Sequence, residues 1–447
     1  MKKIKIITIV GLLVLLGTFA GCGMIKKIMG TVTYSELTDV EVFKDVPIME
    51  VDGTTTSTAD DYGDGNYVIK ITGTKKSDYD AYLKLLEKEG FTKYVDNGSG
   101  FDGTVFNATY TKGDLVLQVL QLERTNKTYL IAGKNNPLSK HLFYDESYVA
   151  NNIDGAKTTL HNIEMYYFGN SFIIQLKDGS FVINDGGHHY DAPYLFDYLE
   201  ELAPEGQKPV VTAWVISHGH ADHVGWIRTV VEKYDDYKNR IYVEGVYYNR
   251  PNQQVVDYEG KSKDVENIER LPNLFTTTSG QRPEIYRMET GQRYYFNDIT
   301  MDVVLTQELL LFKDYEDGFN ESSTWVNYTI EGQTVMIGGD SGAAGMRAVI
   351  DTYSKEYMTV NFFSALHHGY NNRVDFAEHT TITDVLMYSE RKTWNEGTRA
   401  ILAEGTKEIH CYGGGTVVYT FPYTEGTSEC LGNNLWIYNQ GEVRPQL

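Results

Sequence analysis

The stretch Ser217-His218-Gly219-His220-Ala221-Asp222-His223 places three imidazoles and a carboxylate within six positions. Neutral imidazole nitrogen and carboxylate oxygen together suit Zn2+ or a neighbouring divalent metal such as Mn2+. Two cations held about 3.5–4 Å apart lower the pKa of a water between them and clamp an ester for in-line displacement. Surface loops carry single histidines routinely, so the spacing is what argues for a ligand set. Val210–Ile216, just before it, is a run of strand-forming apolar residues, and Val224–Val231, just after it, reads as the start of a helix. The ligands therefore sit on a turn between two rigid elements, where their geometry can be fixed.

Other apolar runs end in residues of the same chemistry. Phe181-Val182-Ile183-Asn184 leads into Asp185-Gly186-Gly187-His188-His189. Val335-Met336-Ile337-Gly338-Gly339 leads into Asp340-Ser341-Gly342, and Phe362-Phe363-Ser364-Ala365-Leu366 into His367-His368-Gly369. Asn320-Glu321-Ser322-Ser323 precedes a hairpin of Trp325–Ile330 and Thr334–Ile337.

In order and spacing these segments resemble the metallo-β-lactamase superfamily, over roughly Thr158 to Leu447. Asn320-Glu321-Ser322-Ser323, the following Gly-Asp and the His-His-Gly are similar to the hydrolase domain of DNA-uptake competence channels and to the pneumococcal-type phosphorylcholine esterase. The resemblance implies an α+β fold, a four-layer αβ/βα sandwich with metals at one edge of two facing sheets. It also implies roles. His218 and His220 hold one metal; Asp222, His223 and His368 hold the other; Asp340 bridges them; Asp185 steadies the histidine loop. His367 is left to contact a phosphoryl oxygen or serve the leaving group, so that His367 and Asp222 are the candidate catalytic residues. The expected cofactor is one or two Zn2+, with Mn2+ an alternative. The expected substrate is a small-molecule or cell-wall phosphoester.

Two departures stand out. The superfamily's first metal takes a third histidine from between the histidine loop and the bridging Asp, and no histidine occurs between His223 and His367. His188 or His189 is a possible substitute, although the pair reads better as a polar loop, and Asn249 is a weaker one. The branch also often carries a histidine where Trp394-Asn395 stands here. A non-catalytic surface binding lipoprotein on a degenerate fold is the competing reading.

Around this core the chain has 447 residues, which suggests about two domains. Lys2, Lys3 and Lys5 precede an apolar Ile6–Leu16 that is short for a membrane span, and Phe19-Ala20-Gly21-Cys22 resembles a bacterial lipobox. Residues 1–21 thus read as a lipoprotein signal peptide, with a lipid on Cys22 anchoring the protein outside the cytoplasm. The formal net charge is -21 and the pI about 4.9. Losing the three lysines makes the remainder more acidic still, which disfavours stable nucleic-acid binding. Residues 22–151 read as a small α+β module without a catalytic cluster, and 158–447 as the hydrolase-like domain. In the module, Asn66–Thr72 alternates as a strand. Ser77–Gly90 reads as a helix with Ser77 as N-cap, and strands follow at 104–111, 115–122 and 128–132. Cys411 and Cys430 are candidates for a disulfide in an exported chain.

Overall fold

A computed structural model describes residues 41–51, 56–98, 101–165, 169–310, 318–370, 372–386, 394–403, 408–410 and 415–431. The signal segment, Cys22 and Cys411 lie outside the described residues; Cys430 is exposed. The chain divides into two compact units. One takes residues up to Gly98 together with Thr104–Asn135; the other takes Ser99–Gly103 and everything from Asn136.

The first unit is one sheet and one helix: β1 (Thr56–Asp61), β2 (Asn66–Thr72), α1 (Lys76–Lys88), β3 (Thr92–Asp96), β4 (Val105–Lys112), β5 (Leu115–Leu122) and β6 (Lys127–Lys134). The six strands run antiparallel in the order β1-β2-β6-β5-β4-β3. Tyr79, Tyr82, Leu83 and Leu86, at helical spacing, bury one face of α1 in a core that includes Ile69, Ala108, Leu117 and Leu130. The helix starts earlier than Ser77 suggests. Lys75 is the N-cap residue, and the Asp78 carboxylate accepts its backbone N–H at 2.8 Å. A carboxylate three residues into a helix satisfies that donor and the helix dipole together, which outweighs Ser77's own preference for a cap.

The second unit holds two large sheets. The first is built from β7 (Thr159–Asn162), β8 (Ser171–Gln175), β9 (Phe181–Asp185), β10 (Val210–Ile216), β11 (Tyr242–Val243), β12 (Gly245–Tyr248), β13 (Glu284–Tyr286), β21 (Val417–Thr420) and β22 (Glu429–Cys430). Its order is β13-β12-β10-β9-β8-β7-β21-β22, with β11 also on β10. The second is β14 (Arg293–Phe296), β15 (Ile299–Leu305), β16 (Trp325–Ile330), β17 (Gln333–Ile337), β18 (Thr359–Ser364), β19 (Thr381–Leu386) and β20 (Glu408–His410), in that spatial order. The strands that lead into the chemistry, β9, β10, β17 and β18, are central, and each has a parallel neighbour. Largely buried on both faces, they read as apolar-rich stretches and not as strict alternation.

Helices cover both outer faces. On the first sheet lie α2 (Ala192–Leu202), α3 (Ala221–Glu232), the short α4 (Tyr234–Tyr237) and α6 (Ser262–Leu274), preceded by α5 (Gln253–Glu259). The indoles of Trp214 on β10 and Trp226 on α3 stack at 4.0 Å between centroids, 8° from parallel, which locks the helix after the histidine loop onto the strand before it. On the second sheet lie α7 (Ala343–Thr352) and α8 (Val374–His379), whose Phe376 ring meets Trp325 and Phe363, and α9 (Glu396–Ala403) packs on α8. Between the sheets the Tyr328 hydroxyl donates to Asn184. This α+β arrangement, two sheets with helices outside them, is the one that the resemblance implies.

Candidate metal centre

Parallel strands deliver their chemistry at their carboxyl ends, and four of them end together here. β10 runs into His218, His220 and, on the first turn of α3, Asp222 and His223; β9 ends in Asp185; β17 runs into Asp340; β18 runs into His367 and His368. Asp222, His223, Asp340 and His368 each bring one ligand-type atom within 4.8 Å of the others; His218, His220 and Asp340 do the same. Asp340 belongs to both groups.

The short distances have the scale of a shared ion. Two donors about 2.0–2.1 Å from one tetrahedral cation lie roughly 3.3 Å apart. His218 Nε2 and His220 Nδ1 are 3.1 Å apart. His223 Nε2 is 3.1 Å from Asp340 Oδ1; His368 Nε2 is 3.3 Å from Asp340 Oδ2 and 2.9 Å from Asp222 Oδ2. His223 Nε2 and Asp340 Oδ1 are buried, yet close as they are, the pair is not aligned for a hydrogen bond. Imidazole nitrogens and carboxylate oxygens gathered at this spacing and away from water are the donor set that a divalent cation takes. The residues present therefore fit a divalent metal at both positions.

Electrostatics separate the two groups. His223 is fully buried, which favours its neutral form, but the carboxylates of Asp340, Asp185 and Asp222 reverse this and hold the metal-free imidazole charged. Burial likewise opposes charge on His368, and Asp340 and Asp222 raise it to about 9. Burial acts to raise Asp222 and Asp340, and the His223 and His368 cations bring both below the usual carboxylate range. His218 goes the other way: burial and the neighbouring imidazoles keep it neutral, and burial also lowers His220. In the metal-free protein one group is a compact arrangement of opposite charges, the other a pair of neutral imidazoles.

The supports are local and rigid. Asp185 accepts from Ser217 N at 2.8 Å, Ser217 Oγ at 2.7 Å and His223 Nδ1 at 2.7 Å. Its φ of +56° turns the chain off β9, a conformation that aspartate tolerates better than most residues. The Ser323 hydroxyl accepts the Asp340 backbone N–H at 3.1 Å, and Glu321 accepts from Ala344 and Gly345, capping the helix that follows Asp340. His367 and His368 both have left-handed backbone, at φ +46° and +53°, strain of the kind that concentrates at functional sites. Gly219 is required by a close approach: a Cβ there would lie 2.7 Å from the Phe319 ring.

Residues 166–372 match the model of the metallo-beta-lactamase superfamily. The chain carries a metallo-beta-lactamase superfamily domain. No curated protein matches the chain in sequence. Among solved structures, the metallo-beta-lactamase fold protein YhfI from Bacillus subtilis is 12% identical, over 57% of this chain and 96% of its own, with a TM-score of 0.35. A diphosphatase from the PhnP family is 16% identical over 59% and 98%, with a TM-score of 0.34. Yeast PDE1 is 10% identical over 59% and 99%, with a TM-score of 0.35.

In the metallo-beta-lactamase domain, His368 joins the carboxylates, while His367 is half-buried with Nε2 3.5 Å from the Asn320 amide nitrogen. None of the substitutes considered for the third histidine enters a ligand group. Asn249 is turned away: its amide nitrogen donates to Met288 O at 2.7 Å and to Glu308, and its oxygen accepts from Gln307 at 2.6 Å. His188 stands close enough to feel Asp222, His223 and His368, but lies outside both groups, and His189 packs on Tyr190 at 3.8 Å. Asn395 caps α9, its side chain accepting Thr398 N and donating to Asn372 O. Ser217 and Ser323 were invisible as supports in the sequence, since hydroxyls beside ligands are common; only the strand pairing shows what they hold.

Proposed function

We propose that the chain is an extracytoplasmic metal-dependent hydrolase that cleaves a phosphoester, as a lipoprotein held to the membrane through Cys22. One observation carries the reading: two ligand groups converge on a single buried carboxylate, Asp340, an arrangement suited to two neighbouring cations that share a water. His218 and His220 hold the first metal; Asp222, His223 and His368 hold the second; Zn2+ or Mn2+ matches the nitrogen and oxygen donors. When bound, the metals supply an activated hydroxide and charge neutralisation at the phosphoryl group. The chain's own residues do the rest. Asp222 is held by His368 Nε2 at 2.9 Å. His367 lies beside the ligands without joining them and presents an imidazole for proton delivery to the leaving oxygen. The strongly acidic composition supports a small or zwitterionic phosphoester over a polyanion.

The test is metal content and turnover on the purified mature chain. Bound metal near two equivalents, with cleavage of bis-p-nitrophenyl phosphate under added zinc or manganese, is expected. Less than about half an equivalent with no cleavage overturns the enzyme reading and leaves a binding lipoprotein on the same fold.

A further inference from the structure

The first ligand group is short of a histidine, and the structure places a charged group behind one of the two it has. His220 directs Nδ1 at His218 Nε2, 3.1 Å away, so Nδ1 is its ligand atom. The two nitrogens of an imidazole point to opposite edges of the ring. On the far edge, His220 Nε2 meets Glu259 Oε2 at 3.6 Å. Glu259 therefore sits behind the ligand and not in the cation's own position.

Glu259 is held in place independently of His220. Its Oε1 accepts the Phe319 backbone N–H at 2.6 Å. The residue before Phe319 is Gly318, at φ +56°, and a Cβ there would overlap Glu259 Oε1. Phe319 is fully buried against Val255 and Val256, on the helix that ends in Glu259. Its ring packs on His220 at 5.4 Å between centroids and on His218 at 6.5 Å. One short helix and one loop thus grip His220 from its edge and its face. Glu259 takes the last position of α5, where a carboxylate opposes the negative end of the helix dipole. A residue placed against its local preference is expected where it serves a site.

We infer that Glu259 is the positioning residue of the first metal: its carboxylate, 3.6 Å behind His220 Nε2, favours the tautomer that carries its proton on Nε2 and leaves Nδ1 open to a cation. This rests on the two-metal reading above. It makes Glu259 the counterpart of Asp185, which does the same for His223 from the opposite ring nitrogen, and explains how a site with two imidazoles and a shared carboxylate holds an ion. A carboxylate behind a ligating histidine contributes about 10–100-fold in metal affinity.

The experiment is titration of metal-free full-length protein with Zn2+ and with Mn2+ against a chromophoric chelator, following two binding steps. Glu259→Gln keeps the oxygen that Phe319 N–H needs and removes the charge. The weaker step is expected to lose about 10–100-fold, while the tighter step moves less than about twofold. In a His220→Ala background the same change should do nothing further to metal binding. Two equivalents in the parent with an unchanged weak step in Glu259→Gln overturns this inference alone. So does an equal loss in the His220→Ala background, which would mark Glu259 as a packing residue. A parent chain that binds less than about half an equivalent overturns the two-metal reading, and this inference with it.

Discussion

Asp185→Asn isolates how the second metal group is set, and its cost can be worked out from the bonds around one side chain. Asp185 is 1% exposed, and its two oxygens take three donors: Ser217 N, Ser217 Oγ and His223 Nδ1. Asparagine fits the same left-handed backbone, and its oxygen keeps the Ser217 N–H. Its NH2 then faces His223 Nδ1. To avoid two donors meeting, the imidazole must carry its proton on Nε2, the atom directed at Asp340 3.1 Å away. Binding a metal requires the reverse, so the variant must break a hydrogen bond and bury a donor facing a donor. A hydrogen bond to a charged group contributes about 1.5–3 kcal/mol, and 1.4 kcal/mol is a factor of ten, so the tighter metal should weaken about 10–100-fold. The assay is chelator competition on wild type and Asp185→Asn, with circular dichroism as a check that the fold persists. The weaker step should move less than the tighter one, because His218 is linked to Asp185 only through the Ser217 hydroxyl, which lies 3.1 Å from His218 Nδ1. A folded variant with an unchanged tight step would refute the assignment of Asp185 as the group that selects the His223 tautomer.

Asp222→Ala should strip the second metal and abolish turnover while leaving the fold intact, whereas His218→Ala should raise the metal concentration needed for activity and be rescued in part by excess; metal analysis and rate on the same samples check both. His367→Ala should keep full metal content and lose turnover by about 100-fold or more. Loss of one equivalent there, with full content in His368→Ala, would exchange their roles. Cys22→Ala should release the protein from membranes or block its processing, and a normally processed variant that still fractionates with membranes refutes the lipid anchor. His161 should make stability fall in acid. Burial lowers it to about 4, against 6.5 unfolded, so the native state binds fewer protons between those values. Its contribution is complete above pH 6.5 and declines as pH falls toward 4, by about 2 kcal/mol at pH 5. Urea unfolding at pH 7 and pH 5 should show a smaller acid loss in His161→Gln than in wild type, and equal losses refute it.

The strands that carry ligands were legible because their signal is local. Val210–Ile216 and Phe181–Ile183 are short apolar stretches rich in β-branched and aromatic residues and followed by glycine-containing turns, and that length and composition separate a buried strand from a buried helix. The apolar run Ile241–Tyr248 reads in sequence as a single strand. The structure breaks it into β11 and β12 at Glu244, whose N–H reaches Val211 O, a pairing no neighbour in sequence announces. The segment from Asn136 to Asn151 reads with the small module in sequence, while the contacts group it with the second unit. Its anchors are distant: Ser139 bonds Tyr247 at 2.9 Å and His141 bonds the Tyr295 carbonyl at 2.8 Å.

The candidate site divides along the same line. Residue types that bind metal declare themselves by spacing, as the histidine loop does; what steers them does not. Asn249 follows a strand toward the site and has a ligating oxygen, so sequence alone offers it as a substitute for the missing histidine. What claims it is a buried ion group: Arg287 bridges Glu289 and Glu308 with almost no solvent contact, and Asn249 supplies donors to Glu308 from 59 residues away. A buried carboxylate left short of hydrogen bonds costs several kcal/mol, more than one marginal metal ligand returns, so the amide stays where it is. Glu259 is the converse. It ends an ordinary polar helix, and only the Phe319 loop folding back over His220 makes it matter. The deficit at the first metal was therefore readable as an absence in the chain, and the group that answers it only as a contact in the fold.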